Sequence, residues 1–182
     1  MAVYTKINKK DISYINKKFE IEKIISFKGI KQGIENTNYL LRSKNKKFIL
    51  TIFEKRVSQN EIPFFMKLMD QLNNSKINCP KPQKNKNGNY LVRIRKKSAC
   101  IVSFLEGKDK KLLNLKNCHE IGKMIAGMHL STKKINLSRK NSMGIKYLNP
   151  LLNSIKFKSK KFTNIEKFLK INFKDIQQKW PK

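Results

Sequence analysis

Residues 27–38 read Phe-Lys-Gly-Ile-Lys-Gln-Gly-Ile-Glu-Asn-Thr-Asn, with Gly29 and Gly33 four apart and Asn36, Thr37 and Asn38 closing the run. Apolar segments at 22–26 and 39–42 flank it, so the chain turns here between two strands. Glycine allows positive φ and a close approach of backbone to ligand. Successive N–H groups, with the amide and hydroxyl side chains, offer donors to oxygen anions. The pattern predicts a strand–turn–strand lid over a phosphate chain. A ligand-free Gly/Asn hairpin uses the same residues, and spacing alone does not separate the two.

The surrounding order narrows the choice. Ile12, Ile15 and Phe19 recur at helical spacing over 11–19, where Asp11 is a candidate cap. Strands are expected at 21–27, 39–42 and 47–53, with a turn at 43–46. A helix over 61–72 puts Ile62, Phe65, Met69 and Leu72 on one face and takes Pro63 in its first turn. Two more strands, 90–94 and 98–104, follow the Asn/Gly turn at 85–89. After Phe104-Leu105-Glu106-Gly107 the periodicity becomes helical, over 117–130 and 164–180, with a lysine-rich connection containing Asn149-Pro150 between them. The expected fold class is α+β: a five-stranded antiparallel sheet with one helix inserted after the third strand, a short crossing segment, then helices. This is the order of a protein-kinase-like fold, with an N-lobe at 1–103 and a hinge plus partial helical C-lobe at 104–182.

Composition bears on partners. The net charge is +30, the footprint of a nucleic-acid binder. Yet of the 42 cations 37 are lysines spread along the chain and five are arginines, the residue that phosphate and base-edge recognition favours. Lys, Asn and Ile, all with A/T-rich codons, make up 79 of 182 residues. Charge is therefore read as background, and no nucleic-acid partner is expected. The cluster Lys156, Lys158, Lys160 and Lys161 reads as a solvated loop. Cys79, Cys100 and Cys118 have no metal-ligand spacing and read as reduced thiols. Met1–Lys10 lacks the apolar core of a signal peptide and no run approaches a membrane span, so a soluble cytoplasmic protein is expected.

With loop, hinge and helix in place, the chain resembles the homoserine kinases of the aminoglycoside phosphotransferase and choline kinase superfamily. The likeness is carried by Phe27-Lys28-Gly29-Ile30 with Gly33-Ile34-Glu35-Asn36-Thr37-Asn38-Tyr39, by Phe48-Ile49-Leu50-Thr51-Ile52-Phe53-Glu54-Lys55, and by Pro63-Phe64-Phe65. Val102-Ser103-Phe104-Leu105-Glu106-Gly107, Ile121-Gly122, Met128-His129-Leu130 and residues 141–148 extend it. The resemblance implies phosphoryl transfer from ATP, with Mg2+, to the hydroxyl of L-homoserine, giving O-phosphohomoserine. It implies that Gly29, Gly33, Asn36, Thr37 and Asn38 cover the phosphates, that Ser103 and Leu105 meet the adenine edge, and that Ile34, Ile49 and Val102 wall the ring.

Two departures accompany it. The strand lysine of protein kinases falls at Thr51, and the helix at 61–72 has no acid in its middle, so Lys55, Arg56 or another cation is expected to supply the charge. The catalytic His-x-Asp-x-x-x-x-Asn loop and the magnesium-binding aspartate are absent. The histidines are His119 and His129, the aspartates Asp11, Asp70, Asp109 and Asp175, and none lies in either motif. His129 reads as a structural histidine on a packed helix face, and Glu106 as either a ribose or substrate ligand or a solvated hinge acid. The expectation is a chain that stops before its catalytic loop and turns nothing over alone. The alternatives are a kinase for choline or methylthioribose, and a non-catalytic nucleic-acid-binding protein.

Overall fold

A computed structural model describes residues 3–54, 58–107, 110, 112–140, 144–154 and 163–179. The chain divides into two units, Met1–Leu137 and Ser138–Lys182.

The first unit begins with α1 (Lys9–Lys18). Its cap is Asn8, whose side chain accepts from the N–H groups of Lys10 and Asp11; Asp11 answers by accepting from the Asn8 N–H at 2.8 Å. This reciprocal box satisfies donors the helix cannot. It moves the cap three residues upstream of the expected Asp11. Strands β1 (Ser26–Gly29), β2 (Thr37–Arg42) and β3 (Lys47–Ile52) follow, then α2 (Ile62–Asn74), β4 (Leu91–Ile94), β5 (Lys97–Ser103) and α3 (Leu115–Thr132). The sheet is antiparallel in the order β1-β2-β3-β5-β4, with one helix inserted after the third strand as expected. The second unit holds α4 (Ile145–Ser154) and α5 (Thr163–Lys179), which pack on each other. Helix α4 corrects the expected lysine-rich connection. Ile145, Leu148, Leu151 and Leu152 supply helical spacing, and Pro150 is accommodated inside it. Trp180, Asp109 and the lysines at 156–161 lie outside the described residues.

The register assigns each sheet residue to one of two faces, because side chains alternate along a strand. Tyr39 pairs with Leu50 and Leu50 with Ile101. Their face, with Leu41, Phe48, Ile52, Ala99, Val92 and Ile94, packs on Ile12 and Ile15 of α1 and on Phe19 just after it. All these side chains are buried, each contributing about 1.5–3 kcal/mol for a large aliphatic or aromatic group. The other face carries Lys28, Leu40, Ile49, Thr51, Cys100 and Val102, in register across the strands. Helix α2 covers it only in part: Ile62 and Met66 pack on Cys100 and Val102, and the β1–β2 end stays open.

Helix α3 is different. Residue Gly127 approaches Ile77 just past α2, but α3 has no buried residue; Ile121 and Ile125 are each 41 % exposed, and His129 is exposed. The expected packed face of this helix is thus open to solvent. The His129 carbonyl accepts from the Thr132 hydroxyl at 2.9 Å and from the Lys133 N–H at 3.3 Å.

Candidate functional site

The open end of the second sheet face is a cleft of about 470 Å³, lined by Lys28, Gly29, Ile30, Lys31, Gln32, Leu40 and Phe104. That volume lies within the range of small-molecule sites. It joins the glycine loop on one side to the segment after β5 on the other. The Ile30 N–H donates to the Asn38 carbonyl at 2.9 Å and closes the base of the loop. Beyond it, no described residue accepts from the N–H groups of Lys31, Gln32, Gly33 and Ile34. Four open donors beside two lysines suit an anion. Gly33 has φ +101°, with no atom within 4 Å of where a Cβ would sit; this is a backbone state that other residues resist. Gly29 faces the other way, and a Cβ there would lie 3.0 Å from Val3 Cγ2, tighter than packing allows without movement.

The expected site residues separate into two groups. Asn38 and Thr51 sit together on the cleft face, where the Thr51 hydroxyl donates to Asn38 Oδ1 at 2.8 Å. At Thr51, where the resemblance puts the strand lysine of protein kinases, two neutral side chains are bonded to each other. Ile49 is half-buried on the same face, and Val102 is buried beneath α2. Ile34, expected as a wall, is 79 % exposed. Asn36 lies at the loop's end, with its Oδ1 accepting from the Glu54 N–H at 3.3 Å.

Thr37 faces away from the cleft. It is fully buried, and its hydroxyl oxygen accepts from the N–H groups of Tyr4 and Thr5 at 3.0 and 3.1 Å while donating to Glu54 Oε1 at 2.7 Å. One donor and two acceptor positions are all it has. Glu54 also accepts from the Thr5 hydroxyl and pairs with Lys97. Burial raises its pKa, but the hydrogen bonds from Lys97, Thr37 and Thr5 and the Lys97 charge outweigh burial, and the carboxyl is held below its ordinary value.

At the crossing segment, the Ser103 N–H donates to the Lys81 carbonyl at 2.9 Å and its hydroxyl accepts from the Lys81 N–H at 2.8 Å; the Phe104 N–H donates to the Lys47 carbonyl at 3.1 Å. Lys47 Nζ sits 5.4 Å from the centre of the Phe104 ring and pairs with Glu106 at 2.7 Å. Glu106 is therefore engaged with Lys47, and the segment is fixed on both sides as far as Phe104. Leu105 is 40 % exposed beyond it. Lys28 and Leu40 were not expected in the lining, whereas Lys31 lies inside the expected loop from Gly29 to Asn38 and Phe104 inside the expected crossing segment from Ser103 to Leu105. Leu40 carries a signal in hindsight, since it lies two residues from Asn38, an expected cleft residue on the same strand.

Among the described residues no three His, Cys, Asp or Glu side chains are placed to hold a metal ion. Burial pushes the Cys100 thiol up to about 12 and raises that of Cys79, so neither is an activated nucleophile. Lys55 and Arg56, the expected substitute cations, lie outside the described residues. No helix of the described residues is long and apolar enough to cross a membrane.

Comparison with known proteins agrees with this geometry. Residues 26–155 match the model of the phosphotransferase enzyme family. The chain is 36 % identical over 154 residues to a homoserine kinase of Parvibaculum lavamentivorans, covering 85 % of this chain and 48 % of that protein. It is 38 % identical over 146 residues to a homoserine kinase of Rhodopseudomonas palustris, covering 80 % and 45 %. The chain thus spans about half the length of the curated relatives it matches. The crystal structure of spectinomycin phosphotransferase with ADP and spectinomycin superposes with a TM-score of 0.61 at 13 % identity, over 96 % of this chain and 56 % of that one. The α+β architecture is the kinase-like fold of the aminoglycoside phosphotransferases. On the matched 130 residues, sheet and α3 included, the chain belongs to the phosphotransferase enzyme family.

Proposed function

We propose that the cleft between the glycine loop and Phe104 binds ATP, and that the whole protein is a homoserine kinase that transfers the γ-phosphoryl group to the hydroxyl of L-homoserine. The observation that carries this is the cleft itself, which unites open loop N–H groups, two lysines and the segment joining sheet to helices in one site. In this reading residues 1–103 form the nucleotide-binding lobe and 104–182 the hinge and first helices of the second lobe.

The residues divide the work of binding. The N–H groups of residues 31–34, with Gly29 and Gly33 giving access, meet the phosphates, and Lys28 and Lys31 supply the charge that the Thr51–Asn38 pair cannot. Leu40, Ile49 and Phe104 form the apolar wall for the base. Because the Ser103 and Phe104 N–H groups are already used, the adenine edge meets the backbone from Leu105 onward. Asn36 steadies the loop's end through Glu54, and Thr37 acts behind it rather than on the phosphates.

Magnesium chemistry supplies charge neutralisation in such transfers. The described residues offer no ligand set for it, so no step is assigned through the ion. These 182 residues carry no aspartate in a His-x-Asp-x-x-x-x-Asn loop, so positioning without a base is what they provide.

Titration of ATP into the 182-residue chain tests the site. Binding is expected, with no O-phosphohomoserine formed. Lys28→Ala with Lys31→Ala should weaken it about tenfold or more, the scale of a lost charge-assisted contact. Failure of ATP to bind would remove the nucleotide reading. For a longer reading frame that includes these residues, product from L-homoserine is expected in preference to choline or methylthioribose; the reverse preference would replace the acceptor.

A further inference from the structure

The segment ahead of α1, residues 3–7, crosses behind the glycine loop on the sheet face opposite the cleft. It touches the loop at three places. Val3 packs against Gly29 at the start, the Tyr4 hydroxyl donates to the Ile34 carbonyl at 3.0 Å at the tip, and the Tyr4 and Thr5 N–H groups both donate to the Thr37 hydroxyl at the end. The segment is itself anchored. The Tyr39 hydroxyl donates to the Thr5 carbonyl at 3.0 Å and accepts from the Ile7 N–H at 3.3 Å, while Lys97 donates to the Thr5 hydroxyl at 2.8 Å.

The tip has little support of its own. Gly33 has no atom within 4 Å of a Cβ position, and Ile34 is largely exposed. The Ile34 carbonyl is oriented by the Tyr4 hydroxyl that donates to it. All peptide bonds described are trans, so holding the Ile34 carbonyl toward Tyr4 turns the next N–H away from it.

We propose that Tyr4 is a positioning residue for nucleotide binding, acting through the Ile34 carbonyl, and that residues 3–7 are the strap that sets the glycine loop over its cleft. This rests on the ATP reading of the cleft. Tyr4 never touches the nucleotide; it limits the orientations the loop samples before the nucleotide arrives, which lowers the ordering cost of binding. Its ring is 56 % exposed, so losing the hydroxyl leaves the core intact.

The test is Tyr4→Phe in the 182-residue chain, read by amide hydrogen exchange of residues 30–36 without nucleotide, by ATP affinity, and by thermal unfolding. Loss of one hydrogen bond should speed loop exchange and weaken ATP binding each about threefold to tenfold, with the melting temperature unchanged. Thr37→Ser, which keeps the hydroxyl, should preserve both loop exchange and affinity. Unchanged exchange in Tyr4→Phe would overturn the strap. Faster exchange with unchanged ATP affinity would overturn the positioning role. Absence of ATP binding by the unsubstituted chain would overturn the cleft reading instead, a failure distinguishable because the exchange measurement needs no nucleotide.

Discussion

Residues 30–36 and residues 85–89 are two Asn/Gly loops of similar make-up. Each contains a glycine at positive φ, Gly33 at +101° and Gly88 at +77°, with open space where a Cβ would stand. They are closed in opposite ways. In the second, Asn85 Oδ1 accepts from the N–H groups of Asn87 and Asn89 at 2.9 and 3.0 Å, the Asn85 N–H donates to the Asn89 carbonyl at 2.8 Å, and the Gly88 N–H donates to the Asn85 carbonyl at 2.8 Å. Four of its five N–H groups are used inside the turn, and the fifth, that of Lys86, donates to the Lys18 carbonyl at 2.9 Å. The first loop closes only its base locally. Its tip and its C-terminal end are held by Tyr4 and Thr5, some thirty residues away, and Lys31 and Gln32 line a cleft. A turn whose N–H groups are all taken has none to offer a ligand; a loop held from behind leaves the N–H groups of residues 31–34 with no acceptor among the described residues.

The largest effect that tests this contrast is Thr37→Val against Asn85→Ala. The first strands one buried and one part-buried N–H donor and removes the hydrogen bond to Glu54, for a loss of roughly 3 kcal/mol; the second removes a half-exposed local acceptor, for about 1 kcal/mol. Denaturant unfolding of both variants gives the ranking. Equal losses would mean that the remote strap does not hold the loop.

Next comes acidity. The Glu54 carboxyl is held below its ordinary value of 4.5, so the unfolded chain binds its proton first. The stability it contributes is present above that value and lost as pH falls through the lower, folded-state one. Loop exchange at 30–36 should rise along the same acid limb while the 85–89 turn holds. Glu54→Gln should remove that limb from the stability–pH curve.

The smallest effect treats the loops alike. Gly33→Ala and Gly88→Ala meet no steric neighbour, so each costs backbone strain alone, about 1 kcal/mol. Thermal unfolding should show near-equal losses, and a markedly larger one at Gly33 would reveal packing around the tip.

Much of the architecture is legible in local pattern. The five strands, the helix inserted after the third and the helix that follows the crossing segment all follow from periodicity and turn residues; the first strand, expected over 21–27, begins five residues later at Ser26. The differences have physical causes. Strand β2 starts at Thr37 rather than Tyr39 because the pairing Thr37 with Ile52 extends the ladder two residues into the amide-rich run. Helix α4 forms around Pro150 because its leucines recur at helical spacing. The cleft was legible in part. The glycine loop, Asn38 with Thr51 and the crossing segment that contains Phe104 were found by motif, whereas Lys28 and Leu40 enter through strand pairing.

By itself the sequence determined the order of elements, the glycine loop between the first two strands and the family likeness, because these are written in local spacing and contiguous motifs. Only the tertiary structure decided which way each loop residue works. A strand has a period of two, so Thr37 and Asn38 cannot both face the cleft, and a shift of one residue exchanges them. The partners that settle it, Tyr4 with Ile34, Thr5 with Thr37 and Lys97 with Thr5, lie between 30 and 92 residues apart. No local pattern encodes such pairs; they exist only once the sheet has closed and brought the strap behind its loop.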